Sequence, residues 1–316
     1  MNSSRSSRRY FLSASAAGLA LAGPAIAKGP LVWLDMDQAE LDAAYDQSVW
    51  APNQKQVVAR YAINSELSRS RIGAPRRAGY GPTAVEALDI HVAKQANAPI
   101  SIFIHGGAWR GGVAKDWAFI AEMFVNQGVH CVVPDFNAVQ DVGGSITAMA
   151  EQVRRAVAWV YRNAASFGGD RERIYITGHS SGAHLAGVML TTDWAALDLP
   201  RGILKGGVCL SAPFDLGAVR LSARSNYIKF TDEMEQSMSP PRHLDRLVAP
   251  VTVAYASLDS PEFQRQSRDF AAAARAAGKS VRLIVAEGYN HFEAPETFGN
   301  PLGVMGRAVL EQMKLV

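Results

Sequence analysis

A chain of 316 residues, 48% hydrophobic and 19% charged, has the composition of a globular protein with a sizeable core, which excludes a disordered or fibrous chain. Its 32 basic and 29 acidic side chains leave a formal charge of +3, too small to argue for nucleic acid or a membrane surface as partner. Beyond the first 27 residues no stretch holds the roughly 20 uninterrupted apolar residues of a spanning helix.

The chain opens on Ser7-Arg8-Arg9-Tyr10-Phe11-Leu12, then a mildly apolar run from Ala14 to Ala22, then Ala25-Ile26-Ala27. A basic start, a short apolar middle and an A-x-A end form an export signal. The paired arginines before an aromatic and a leucine point to the twin-arginine route, although Ser13 stands where that pattern carries lysine. Cleavage is expected after Ala27, leaving a mature chain from Lys28 in the periplasm or outside the cell.

Residues 28–82 read as a helical arm and loop. Asp35-Met36-Asp37 caps a helix over Gln38–Tyr45, and a second helix over Gln54–Arg69 carries Val57, Val58, Tyr61, Ile63 and Leu67 at helical spacing. Arg71–Pro82 reads as loop, and Val85–Val92 alternates as a half-buried strand does. From there strands and helices alternate, which predicts an α/β fold: a mostly parallel sheet with helices on both faces. The expected strands are Ile100–Ile104, Val129–Val133, Arg173–Thr177, Gly206–Ser211, Val251–Ala256 and Val281–Val285. The expected helices are Trp117–Asn126, Gly144–Ala165, a helix ending near Leu190, Gln264–Ala277 and Val304–Met313. Residues 212–249 break the alternation and read as a cap-like insertion in one catalytic domain, 83–316.

The motif that organises this domain is Gly178-His179-Ser180-Ser181-Gly182, between an apolar strand and a helix. Serine between glycines at a strand-to-helix turn is a nucleophile elbow. The turn is too tight for flanking side chains, and the hydroxyl stands at a helix N-terminus, where developing negative charge is favoured. Attack on a carbonyl then needs a base, a group to orient it and donors for the oxyanion. The donors are sought in His105-Gly106-Gly107-Ala108-Trp109, where two glycines after a strand leave backbone N–H groups uncovered. Gly107 and Ala108 are expected to supply two of them and Ser181 the third, with His105 tying the loop.

The base must be a histidine. In the order Ser, acid, His, only His243 and His291 lie downstream, and His291 follows a strand and a glycine. Asp259 and Asp215 each follow a strand and both remain candidates for the acid, position favouring Asp259. Trp109 and Tyr289 are expected in the substrate pocket, with Trp117, Phe214 and Phe292 as further aromatics near the predicted loops. Arg220, Arg224 and Lys229 form a basic stretch suited to anionic substrates or to a solvated surface.

These motifs, with Ser260-Pro261-Glu262-Phe263-Gln264-Arg265-Gln266-Ser267 and Asn290-His291-Phe292, resemble α/β-hydrolases of the hormone-sensitive-lipase-like branch. Within it, the chain is most similar to the kynurenine formamidase (arylformamidase) and carboxylesterase group, over roughly residues 38–315. The resemblance implies an α/β-hydrolase fold with Ser180, Asp259 and His291 as nucleophile, acid and base. Ser181 stands where that group usually has Ala, and Ala108 where it has an aromatic or Gly. The family strand order would put two strands between those of Cys131 and Cys209. That is about 14 Å at ~4.8 Å per strand, beyond the ~7 Å of a disulfide, so both cysteines are expected free and buried.

The resulting expectation is a secreted carboxylesterase working through an acyl-enzyme on a small-molecule ester. The alternative is an arylformamidase or amidase acting on an N-formyl or amide bond. Neither a cofactor nor a metal is implied, nor nucleic acid or stable membrane insertion, and the sequence assigns no oligomeric state.

Overall fold

The computed structural model describes residues 28–316, and the expected export signal with its cleavage after Ala27 lies outside them. A short hairpin, β1 (Leu31–Trp33) and β2 (Met36–Asp37), precedes α1 (Gln38–Tyr45) and α2 (Gln54–Ile72). There follow β3 (Arg76–Gly79), β4 (Ala87–His91), β5 (Ala98–Ile104), α3 (Ala118–Asn126), β6 (His130–Pro134) and α4 (Ile146–Asn163). The elbow joins β7 (Gly169–His179) to α5 (Ser181–Leu190), and β8 (Leu204–Leu210) leads into the insertion with α6 (Leu216–Leu221) and α7 (Asp232–Ser237). The chain ends on β9 (Val251–Ala256), α8 (Pro261–Ala276), β10 (Val281–Ala286) and α9 (Val304–Gln312).

The central sheet has eight strands in the order β10-β9-β8-β7-β5-β6-β4-β3. From β6 to β10 neighbours run parallel, while β4 pairs antiparallel with both β6 and β3. Strand alternation splits the core in two. Ile100, Ile102 and Ile104 of β5 join Val153, Leu185 and Phe270 on one face, whereas Phe103 joins Phe124, Phe298 and Val309 on the other. Helix α5 is buried at every position, as befits the helix that carries the elbow through the middle of the molecule.

Several expectations change here. Arg76–Gly79 is an edge strand and not loop, and β1 and β2 form a hairpin before the capped helix. Strand β4 is buried throughout and not alternately, because Arg77 of β3 closes over its outward Asp89 in a 2.6 Å ion pair. On α2 only Val57 and Tyr61 of the expected apolar residues are buried; Val58, Ile63 and Leu67 are exposed. The packed row runs on through Ser65 and Ser68, whose hydroxyls accept from Phe119 N at 3.1 Å and donate to Glu122 at 3.2 Å. Serines at helical spacing hid this face from a hydrophobic reading.

Cys131 and Cys209 are free and buried. Strands β5 and β7 do lie between theirs. The two thiols also face opposite sides of the sheet, in the two separate cores. Burial pushes the Cys209 thiol up to about 12 and Cys131 further, so neither forms a thiolate nucleophile at neutral pH.

No helix among the described residues is long and apolar enough to cross a membrane.

Candidate active site

The elbow is built by what its glycines permit. A Cβ on Gly178 would meet Gly182 O at 2.6 Å, and one on Gly182 would meet Ile104 O at 2.2 Å and His105 O at 2.3 Å. The first glycine lets α5 turn back against its own strand, and the second lets it press on the backbone that opens the His105–Trp109 loop. Ser180 itself takes φ 57°, ψ −127°, a strained conformation for a residue with a Cβ. Its side chain is thereby held clear of the helix.

Ser180 Oγ lies 2.9 Å from His291 Nε2, and His291 Nδ1 lies 2.8 Å from Asp259 Oδ1. The other carboxylate oxygen, Oδ2, accepts from Ser211 Oγ at 2.6 Å and from Ala256 N at 2.9 Å. Asp259 is almost wholly buried, so these donors satisfy carboxylate lone pairs that water cannot reach. Sequence reasoning missed Ser211 as a partner, having read it only as the end of a strand. A serine closing the strand before the acid strand was the available signal.

Of the two acids considered, Asp259 is the one brought to His291. Asp215 is engaged elsewhere: its Oδ1 caps α6 through Gly217 N at 2.8 Å and pairs with Arg242 at 3.1 Å. His243 Nε2 lies 2.8 Å from Gln236 O, within the insertion.

The loop after β5 packs directly on Ser180, since a Cβ on Gly106 would come within 3.2 Å of Ser180 Cβ. Gly107, Ala108 and Trp109 all have positive φ, of 133°, 56° and 60°. Among the described residues the N–H groups of Gly107, Ala108 and Ser181 meet no acceptor. Strained backbone with unengaged donors beside a nucleophile is the form an oxyanion site takes.

Three further buried histidines, His105, His179 and His184, pack around this centre without belonging to it. His105 stacks on Phe136 and approaches Gly106 O at 3.1 Å. His184 accepts from Trp109 Nε1 at 3.3 Å and reaches Met238 O at 2.7 Å, tying loop, elbow helix and insertion together. His179 lies under His291, ring centroids 4.6 Å apart, and burial, then the neighbouring His291, hold it well below the usual imidazole range. A neutral His179 spares His291 a second cation beside it. His91, on β4, is held at about 4 by burial, as is His184.

Those depressed values set an acid limit to stability. Above the ordinary 6.5, His91 and His184 are neutral whether the chain is folded or not. Below it the unfolded chain takes up protons that the folded one refuses until about pH 4. Stability is therefore expected to fall across that window, by up to about 3 kcal/mol per histidine. Urea unfolding at a series of pH values measures this, and a midpoint independent of pH across the window excludes it.

A cavity of about 730 Å³ opens onto Ser180 and His291. One wall is Gly106, Gly107 and Ala108; another is the arm, with Tyr45, Gln47 and Tyr61; the insertion closes a third with Arg224 and Tyr227. Two expected pocket residues do not line it. Trp109 is buried because its left-handed backbone turns the ring inward onto His184, at 82° to that ring. Tyr289 packs against the second core instead. Trp117 and Phe292 do line the cavity, whereas Phe214 is stacked on Phe270 inside the protein. Of the basic stretch, only Arg224 reaches it, and Arg220 is paired with Asp232 and Glu235.

A serine at a strained elbow, a buried histidine–carboxylate pair, unengaged N–H groups and a mostly parallel sheet define an α/β-hydrolase. The BD-FAE family model matches residues 88–200. The kynurenine formamidase of Danio rerio is 30% identical over 280 residues, which take in 84% of this chain and 92% of that protein. Esterase LipQ of Mycobacterium tuberculosis is 31% identical over 225 residues, 64% of this chain and 53% of that one. Esterase LipW of Mycobacterium marinum has a similar fold, with a TM-score of 0.67 at 17% identity over 84% of this chain and 90% of that one. The chain belongs to the hormone-sensitive-lipase-like carboxylesterase and arylformamidase group of α/β-hydrolases, and it is a hydrolase.

Proposed function

We propose that the protein is an exported serine hydrolase that cleaves a carboxylic ester of a small molecule through an acyl-enzyme. The observation that carries this is the hydrogen-bonded chain from Ser180 Oγ through both nitrogens of His291 to Asp259, at 2.9 and 2.8 Å, on the floor of an open cavity.

His291 Nε2 takes the hydroxyl proton as Ser180 Oγ bonds to the carbonyl carbon. Asp259 accepts from Nδ1–H, which fixes the tautomer and stabilises the imidazolium. The N–H groups of Gly107, Ala108 and Ser181 hold the oxyanion. The bond to the leaving oxygen then breaks as His291 returns the proton to it. Water, deprotonated by the same nitrogen, attacks the acyl-enzyme, and the acid leaves as Ser180 regains its proton.

A second reading, hydrolysis of an N-formyl aromatic amide, is favoured by the likeness to kynurenine formamidase over most of both chains and by the aromatic cavity wall. The two readings share every step, since the leaving atom is the sole difference. Rates on nitrophenyl esters of increasing acyl length, beside N-formylkynurenine, separate them. We expect the highest kcat/KM on an ester, and a preference of more than about tenfold, 1.4 kcal/mol, for the formamide reverses the order.

Export rests on Arg8-Arg9 and Ala25-Ile26-Ala27. Fractionation of cells carrying the full chain is expected to find a product beginning at Lys28 outside the cytoplasm, and the double change Arg8→Lys, Arg9→Lys is expected to retain it inside. Full-length protein confined to the cytoplasm in both cases sinks this part of the reading.

A further inference from the structure

The segment joining α1 to α2 touches both loops that carry the acid and the base. Gln47, 5% exposed, is doubly bonded to the residue after the acid. Its Nε2 donates to Ser260 Oγ at 2.9 Å, and its Oε1 accepts from Ser260 N at 3.2 Å. Asn53 does the same for the base loop. Its Oδ1 accepts from Asn290 Nδ2 at 2.8 Å and its Nδ2 donates to Glu293 Oε1 at 2.7 Å. Asn290 Oδ1 in turn accepts from Phe292 N at 3.0 Å and Glu293 N at 3.1 Å, and Glu293 Oε2 accepts from Asn290 N at 3.1 Å. His291 is thus enclosed in a ring of hydrogen bonds that Asn53 closes.

Asn53 occupies the N-cap position of α2, where an asparagine side chain ordinarily accepts from its own helix. Here it makes no such bond. The side chain forgoes that role and spans to residues more than 200 positions away. The acid and base loops leave adjacent strands, β9 and β10. Gln47 and Asn53 therefore tie two neighbouring loops to one rigid connection.

We propose that Gln47 and Asn53 are positioning residues, setting the Asp259–His291–Ser180 alignment from the arm. This rests on the serine-hydrolase reading above. Loss of either tie loosens one loop, the base loop keeping the Tyr61 hydroxyl bond to Phe292 O, while the strands, and hence the fold, stay in place. A misplacement of about 1 Å far from the chemistry can cost about 100-fold in rate.

The test reads nucleophile activation directly, as the second-order rate at which a fluorophosphonate labels Ser180 in the full chain. A second readout is the far-downfield proton resonance of His291 Nδ1–H. Asn53→Ala and Gln47→Ala are each expected to lower the labelling rate by about 10- to 100-fold, to lower kcat far more than they raise KM, and to broaden the resonance. Arg71→Ala loosens the arm at Glu122 of α3, a 2.6 Å pair outside both loops, and is expected to leave the rate unchanged. Labelling within twofold of the natural protein in both alanine variants, with the resonance intact, overturns the positioning role. Equal slowing in Arg71→Ala also overturns it, since general loosening then suffices. Absence of labelling in the natural protein overturns the serine reading together with this one.

Discussion

Ser180→Ala is expected to lower kcat by about 10⁶-fold on any substrate the protein hydrolyses, with KM changed little. On the proposed mechanism the substitution removes the atom that bonds to the acyl carbon, and it leaves the cavity wall, the Asp259–His291 bond and the N–H groups of Gly107, Ala108 and Ser181 in place. Alanine bears the same Cβ as serine, so the strained backbone at φ 57° is neither relieved nor worsened, and stability is expected to be nearly unchanged. Residual turnover of about 10³–10⁴ over water is expected from the remaining donors and from substrate binding. Steady-state rates with a matched thermal unfolding curve check this. Turnover within tenfold of the natural protein, in a folded variant, excludes an acyl-Ser180 intermediate for ester and formamide alike.

Asp259→Asn is the second large effect, and the local hydrogen bonds dictate its direction. Ser211 Oγ and Ala256 N both donate to Oδ2. An asparagine must keep its carbonyl oxygen there, which turns its NH₂ toward His291 Nδ1. That nitrogen becomes the acceptor, the proton moves to Nε2, and the ring can no longer take one from Ser180. A loss of about 10⁴-fold in kcat at neutral pH is expected, with binding retained. Asp215→Asn is the control. It removes the negative charge from a partly exposed pair with Arg242 but keeps an oxygen able to cap α6, so a cost below about 1 kcal/mol and an unchanged kcat are expected. Comparable losses of activity in the two variants leave Asp259 without its assigned role.

The elbow, the Gly106–Gly107 loop and His291 were legible in the chain because each is a local solution to a local problem. Gly178 and Gly182 are required by backbone contacts at 2.6 and 2.2 Å, and a residue requirement of that kind is written at its own position. The strands of the sheet were legible for the same reason, as short apolar runs between turns. Strand β3 was not, because Arg76-Arg77-Ala78-Gly79 carries no apolar alternation and pairs along an edge whose partner supplies the burial.

The cavity shows the other limit. Trp109 and Tyr289 stand beside site motifs in the sequence, yet a positive φ at Trp109 and packing against the second core take them away from it. Tyr45, Gln47 and Tyr61 lie far from every motif, and the arm folds them onto it.

By itself, then, the sequence determined the chemistry available to this protein: which serine stands at a strained turn, which backbone can offer free N–H groups, and which histidine follows a strand in the right order. Tertiary structure decided what no linear pattern encodes. It supplied the contacts behind the positional preference for Asp259, whose Oδ1 stands beside His291 while Asp215 is given to Arg242. It turned Cys131 and Cys209 to opposite faces of the sheet. It also brought Gln47 and Asn53 across more than 200 residues to the loops of the acid and the base. Hydrogen bonds of that reach depend on where the sheet and its helices place two distant segments, and only the packed fold specifies that.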